Sequence, residues 1–175
     1  QQKDLFSQRA PGRTCIDALA QMRTIGDAAK NDSKGCGGVM RVAPIGMLFH
    51  SLALVDPEGR AEQYSRAFSL ACEAAALTHG HPSGQLTAGV MAALVFSLLN
   101  GTDLPTAIER SLPLLEARTG HEETLAALQQ AQALSRSDAS CVEAIRRLVE
   151  GWVAEEALAI GVYCALKATD FETGV

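Results

Sequence analysis

Two short stretches of the sequence gather the residue types able to do chemistry. The first, Ser33 to Gly46, reads SKGCGGVMRVAPIG, and the second, Thr78 to Gly84, reads THGHPSG. In the first, Gly35, Gly37 and Gly38 lie almost side by side, with Met40 and Arg41 just after them. Glycine in a regular element costs roughly 0.5–1 kcal/mol relative to alanine. Such a cluster therefore implies either positive φ or a main chain that something must approach closely. A glycine-rich segment running into a helix start leaves N–H groups free, and the helix dipole adds about half a positive charge. With the fork of Arg41 beside it, this is the equipment of a phosphate or diphosphate cradle. The plainer alternative is a tight helix–helix connection with Arg41 in a structural salt bridge. Spacing alone leaves both open. No Gly-Lys-Ser/Thr closes the stretch, so it is not a P-loop.

The second stretch offers His79, His81, Ser83 and Gly84. Histidines at i and i+2 with no third ligand nearby make a poor metal site, and no metal ligand is assigned. Hydrogen bonding to a polar ligand and plain helix capping with loop packing both remain open. Cys36 has no base placed by sequence logic, so it reads as a small residue in a tight loop. Glu155 and Glu156 fall in the first turn of the last helix, where they favour its dipole and are expected to face water. No catalytic residue emerges from spacing.

The elements that must position these loops are helical. Ala and Leu dominate and aromatic residues make up only 5%, a balance that favours helices over a sandwich of strands. Apolar residues recur at helical spacing in Cys15, Leu19 and Met22, after a capping box of Thr14 and Asp17. That predicts a helix over 15–25, followed by a loop over 26–40. Pro44 opens a short helix through Leu54, and Asp56 to Gly59 form a turn. A helix over 61–77 follows. An apolar one over 84–99 is closed by Asn100-Gly101. Asp103 caps a helix broken or kinked near Pro113, residues 121–135 form a half-exposed helix, Asp138 caps a helix to Val149, and Trp152 to Lys167 form the last. No segment alternates at period two. The expected architecture is an all-α, compact multi-helix bundle, a single domain over 1–175, with special loops at 31–43 and 78–84.

Bulk properties narrow the partners. The net charge is −5 and no stripe of Lys and Arg appears, so there is no electrostatic case for nucleic acid. Five cysteines, an odd number without a Cys-x-x-Cys pair, argue against a disulfide framework and fit a reducing cytoplasm. The opening segment QQKDLFSQRAPGR is polar and does not read as a signal peptide. The apolar run Leu86 to Leu99 is shorter than the roughly 20 residues of a membrane helix and reads as a core helix. The chain starts without Met and stops at TDFETGV, so it is expected to be an excised or processed segment. Apolar surface left bare at such ends is expected to drive self-association.

Taken in order, SKGCGGVMRVAPIG, THGHPSGQLTAG and GWVAEEALAIGVYCAL, with APGRT ahead of them at 10–14, resemble the ADP-ribosylglycohydrolase family over nearly the whole chain. The resemblance implies an all-α fold around a binuclear magnesium site. It implies hydrolysis of the glycosidic bond that links ADP-ribose to a protein side chain, as in the hydrolases that act on dinitrogenase reductase. The partners implied are ADP-ribose or ADP-ribosylated protein. Carried over by motif, Gly35, Gly37, Gly38 and Met40 lie against the ribose and diphosphate, and His79, Ser83 and Gly84 line the same cleft. Arg41 belongs either to the cleft or to the structure beneath it. The family draws its metal ligands from Thr-Asp-Asp and Asp-x-Asp-Thr motifs, and neither occurs in this sequence. The two magnesium ions are therefore expected to take ligands from outside the chain, which looks truncated at both ends and inactive alone. Two rival readings are a non-catalytic module that binds ADP-ribose or a related nucleotide, and a crystallin-like structural relative.

Overall fold

The computed structural model describes residues 12–175. The polar opening segment, with Ala10 and Pro11 of the APGRT stretch, lies outside the described residues. Eight α-helices follow one another: α1 Arg13–Gln21, α2 Ala43–Val55, α3 Arg60–Ala76, α4 Pro82–Leu99, α5 Leu104–Glu116, α6 Glu122–Ser135, α7 Cys141–Arg147 and α8 Ala154–Lys167. Single turns of 3₁₀-helix occupy Val39–Arg41 and Glu172–Gly174. Among the described residues, extended pairing is confined to one antiparallel bridge between Gly35 and Val153. The chain is all-α.

The hub is α4. Its sequence PSGQLTAGVMAALVFSLL is apolar nearly all round, which is the signature of a helix buried on every side. Its length and composition would allow it to cross a membrane, yet 67% of it is buried within the fold. Small residues let its neighbours come close. A Cβ on Gly89 would lie 2.5 Å from Cys72 Sγ of α3, and one on Gly46 of α2 would lie 2.5 Å from the Ala92 carbonyl oxygen. Phe68, Leu86, Val90, Ile108, Leu128 and Tyr163 fill the larger core cluster, which joins α3 through α8. A smaller cluster of Val42, Ala71, Ala75, Ala88 and Ala92 sits directly under the glycine-rich loop.

Several boundaries move, each for a local reason. Thr14 does not cap α1: Gly12 precedes the helix without a side-chain cap, and the Thr14 hydroxyl pairs with Ser33 Oγ at 3.3 Å. α1 stops at Gln21, short of residue 25. α4 starts at Pro82, two residues before the expected Gly84, because His81 Nδ1 accepts from the Ser83 N–H at 3.1 Å. Asp103 caps α5 as expected, accepting from Thr106 N at 2.9 Å. Pro113 does not break that helix, which continues to Glu116. Ser140 rather than Asp138 caps α7, which ends at Arg147. Val153 caps α8, leaving Trp152 outside the helix and exposed.

Candidate functional site

The glycine-rich loop, Ser33 to Arg41, and the connection between α3 and α4 close on each other. Asn31 ties them: its Nδ2 donates to the Thr78 carbonyl at 3.1 Å, and its Oδ1 accepts from Ser33 N and Gly80 N, each at 3.0 Å. His81 N donates to the Ser33 carbonyl at 3.3 Å. On its far side the loop docks against the start of α8, with Ala154 N donating to the Lys34 carbonyl at 2.8 Å and Cys36 N to that of Trp152 at 3.2 Å.

His79 sits at the centre of this junction and is only 1% exposed. Ideal Cβ positions on Gly35 and Gly37 would lie 3.5 Å from its Nε2 and 3.2 Å from its Cε1. One on Gly38 would lie 3.6 Å from Nδ1, and one on Gly84 would lie 3.2 Å from the His79 Cβ. Three glycines thus wrap one imidazole, and Gly84 backs its Cβ. Positive φ is not the reason for them: the described glycines with positive φ are Gly26, Gly101, Gly120 and Gly151, and Gly38 has φ −70° and ψ −52°. Of the two explanations that the sequence leaves open, close approach is the one realised. What approaches from this side is the protein's own histidine. The N–H groups of Gly37 and Gly38 have no acceptor among the described residues.

Arg41 turns inward. Its guanidinium donates to the Gly37 carbonyl at 3.1 Å, the Ala74 carbonyl at 2.8 Å and Thr78 Oγ1 at 2.6 Å. It ties the loop to the end of α3 through neutral acceptors, not through the salt bridge anticipated as the structural alternative. Thr78 Oγ1 in turn lies 2.8 Å from His79 Nδ1. Met40 points the other way and is 74% exposed. It borders an apolar groove of about 370 Å³ between α4 and α8, with Met91, Leu94 and Val162. Ser83 and Gly84 are buried beneath the loop.

Burial, and then the charge of Arg41, lower the His79 pKa below the ordinary histidine value. The sign for stability follows. The unfolded ring takes up its proton near pH 6.5, while the folded ring resists protonation to lower pH. Between the two the unfolded state binds more protons, so stability falls as pH drops. His79→Gln is therefore expected to flatten the decline of the thermal midpoint between about pH 7 and 5.5. Equal slopes for the two proteins would show that folding does not lower the His79 pKa.

Sequence reasoning missed an ionic node. Lys34 Nζ lies 2.7 Å from Glu155 Oε1 and 2.9 Å from Glu123 Oε2, and Ser83 Oγ donates to the same Glu123 oxygen at 2.5 Å. Hydrogen bonds from Lys34 to both carboxylates hold the ammonium pKa above the usual lysine range. Ser83, then Lys34, hold Glu123 below the usual carboxylate range. Glu155 does not face water: it is 6% exposed, and its Oε2 is buried without a partner among the described residues. Glu156 is half-buried and accepts from Gly151 N at 3.1 Å. Lys34 stands inside the glycine-rich stretch, but nothing in local spacing links it to the first turns of α6 and α8.

These residues do not fit a magnesium site. Among the described residues no group of three or more His, Cys, Asp or Glu side chains is placed to hold a metal ion. Two carboxylates beside the loops, Glu123 and Glu155, already share the Lys34 ammonium. The five cysteines are free thiols, and burial pushes Cys72 up to about 12.

A family model described as ADP-ribosylglycohydrolase matches residues 1–175. No curated protein and no solved structure matches the chain.

Proposed function

The chain belongs to the ADP-ribosylglycohydrolase family, and from that premise we propose that its loop junction holds the ADP-ribose of a modified protein side chain for hydrolysis of the glycosidic bond. The observation that carries the reading is the pair of unclaimed N–H groups on Gly37 and Gly38, at the point where both motif loops meet. Successive amides without a protein acceptor suit a diphosphate, with Gly37 half-buried at the edge of the junction and Gly38 buried behind it. His79, walled in by glycines, sets the shape of the loop that presents them. Met40, exposed beside the amides, is the apolar surface offered to the sugar.

Breaking the bond at the anomeric carbon builds oxocarbenium character on the ribose, and the leaving side chain must gain a proton. In this proposal residues 12–175 contribute binding and orientation. The two magnesium ions that the resemblance implies take their ligands outside these residues. The unpaired thiols support a reducing compartment, and we place the protein in the cytoplasm.

A second reading is favoured by one observation: the acidic motifs Thr-Asp-Asp and Asp-x-Asp-Thr are absent from the sequence. It is a binding module that holds ADP-ribose without turnover. Residues 1–175 alone, incubated with ADP-ribosylated protein and magnesium, are expected to bind ADP-ribose and release none. Metal-dependent release of free ADP-ribose would refute the placement of the metal ligands outside the chain. Failure to bind ADP-ribose would refute both readings and leave the structural relative.

A further inference from the structure

We infer that Lys34 is a positioning residue: through Glu123 and Glu155 it sets the closed position of the glycine-rich loop over His79, and so the affinity of the junction for ADP-ribose. The inference rests on the reading just given. It starts from three helix beginnings that meet at one point. Ser83, Glu123 and Glu155 are each the second residue of their helices, α4, α6 and α8. Carboxylates are favoured at helix N-termini, and here two of them aim at a single ammonium. The cation comes from the loop, one residue before the first glycine.

The main chain of Lys34 is held as firmly as its side chain. Its carbonyl accepts from Ala154 N at 2.8 Å. Its Cα lies 3.2 Å from where a Cβ on Gly84 would stand. The next residue, Gly35, pairs with Val153 and meets the His79 ring. The Lys34 strap therefore fixes the first of the three glycines that enclose the imidazole, and the amides of Gly37 and Gly38 follow within a turn. Glu155 makes the strap directional. Its carboxylate is buried, and a buried carboxylate that loses its cation bears an uncompensated desolvation cost. Lys34 thus has one low-energy place to be.

The test compares wild type with Lys34→Met, Lys34→Arg and Glu123→Gln, by amide hydrogen exchange and by calorimetric titration with ADP-ribose. In Lys34→Met, exchange at Gly35, Cys36 and Ala154, whose amides are bonded at the junction, is expected to quicken about tenfold or more while Val90 to Leu94 in α4 stay protected. ADP-ribose affinity is expected to fall by about tenfold or more, the scale of losing one charged partner. Lys34→Arg keeps the charge and is expected to recover most of both. Glu123→Gln, at the more exposed partner, is expected to loosen the same amides less. Unchanged loop exchange in Lys34→Met overturns the inference. So does faster exchange spread evenly into α4, or a lost thermal transition, because either makes Lys34 a strut of the fold at large. If wild type binds no ADP-ribose, the functional reading fails by itself, and the exchange pattern still decides on the strap.

Discussion

Gly80→Ala is expected to destabilise the protein by about 3 kcal/mol, the upper range for forcing a methyl into a packed site. An ideal Cβ there would stand 1.8 Å from the Asn31 carbonyl oxygen and 2.9 Å from its carbon. Both are main-chain atoms and cannot swing aside as a long side chain would. They are also held in place, since Asn31 bonds Thr78 and Gly80 through its side chain, and Ala29 N donates to the Ala76 carbonyl at 2.8 Å. Backbone strain plays no part, because Gly80 is not among the positive-φ glycines. The two motif loops would have to separate. A thermal melt is the measurement, with Gly161→Ala as control: nothing lies within 4 Å of the Cβ at that helical position, and the change there is expected to be neutral or slightly stabilising. A wild-type midpoint for Gly80→Ala would show that the loops are not locked together.

The largest effect on binding is expected from Gly38→Val. The sequence suggests a variant that folds normally and simply fills the ligand's space. The structure points to a different route to the same loss. A Cβ at Gly38 would stand 3.0 Å from Ala75 Cβ and 3.1 Å from the Gly84 carbonyl oxygen. These atoms belong to α3 and α4, the most tightly packed pair of helices. The loop is the softer partner and would lift, carrying the amides of Gly37 and Gly38 with it. ADP-ribose affinity is expected to fall about a hundredfold or more, equivalent to about 2.7 kcal/mol. A stability loss of about 1–3 kcal/mol is expected to accompany it. Calorimetric titration beside circular dichroism separates the two effects. Full affinity in a folded Gly38→Val protein would reduce the loop to a connector.

The helices were legible because their signals are local. Asp103 caps α5, and the apolar run of α4 reads as a core helix, which its burial in the fold bears out. Where two cap candidates stood close together, as with Asp138 and Ser140, local rules could not rank them, and the structure takes Ser140. The motif loops were legible as unusual but not as neighbours, because the Asn31 bonds to Thr78 and Gly80 join segments far apart in the chain. The same limit hid the ionic node. A glutamate in the first turn of a helix ordinarily faces water, and Glu155 is buried only because Lys34 reaches it from another loop. Arg41 was readable as either a ligand's fork or a structural tie. Its bonds to Gly37, Ala74 and Thr78 make it a tie, and its exposure leaves the fork in reach of a ligand.

The claim that the two loops form an ADP-ribose site is tested most directly by titrating the isotope-labelled chain with ADP-ribose and following each amide by nuclear magnetic resonance. Saturable shifts are expected to be largest at the amides of Gly37 and Gly38. They should fade along α4 toward Asn100 and Gly101, about 27 Å away at a rise of about 1.5 Å per residue. Saturable shifts centred on the apolar groove between α4 and α8, or no saturable shift at the Gly37 and Gly38 amides, would contradict it.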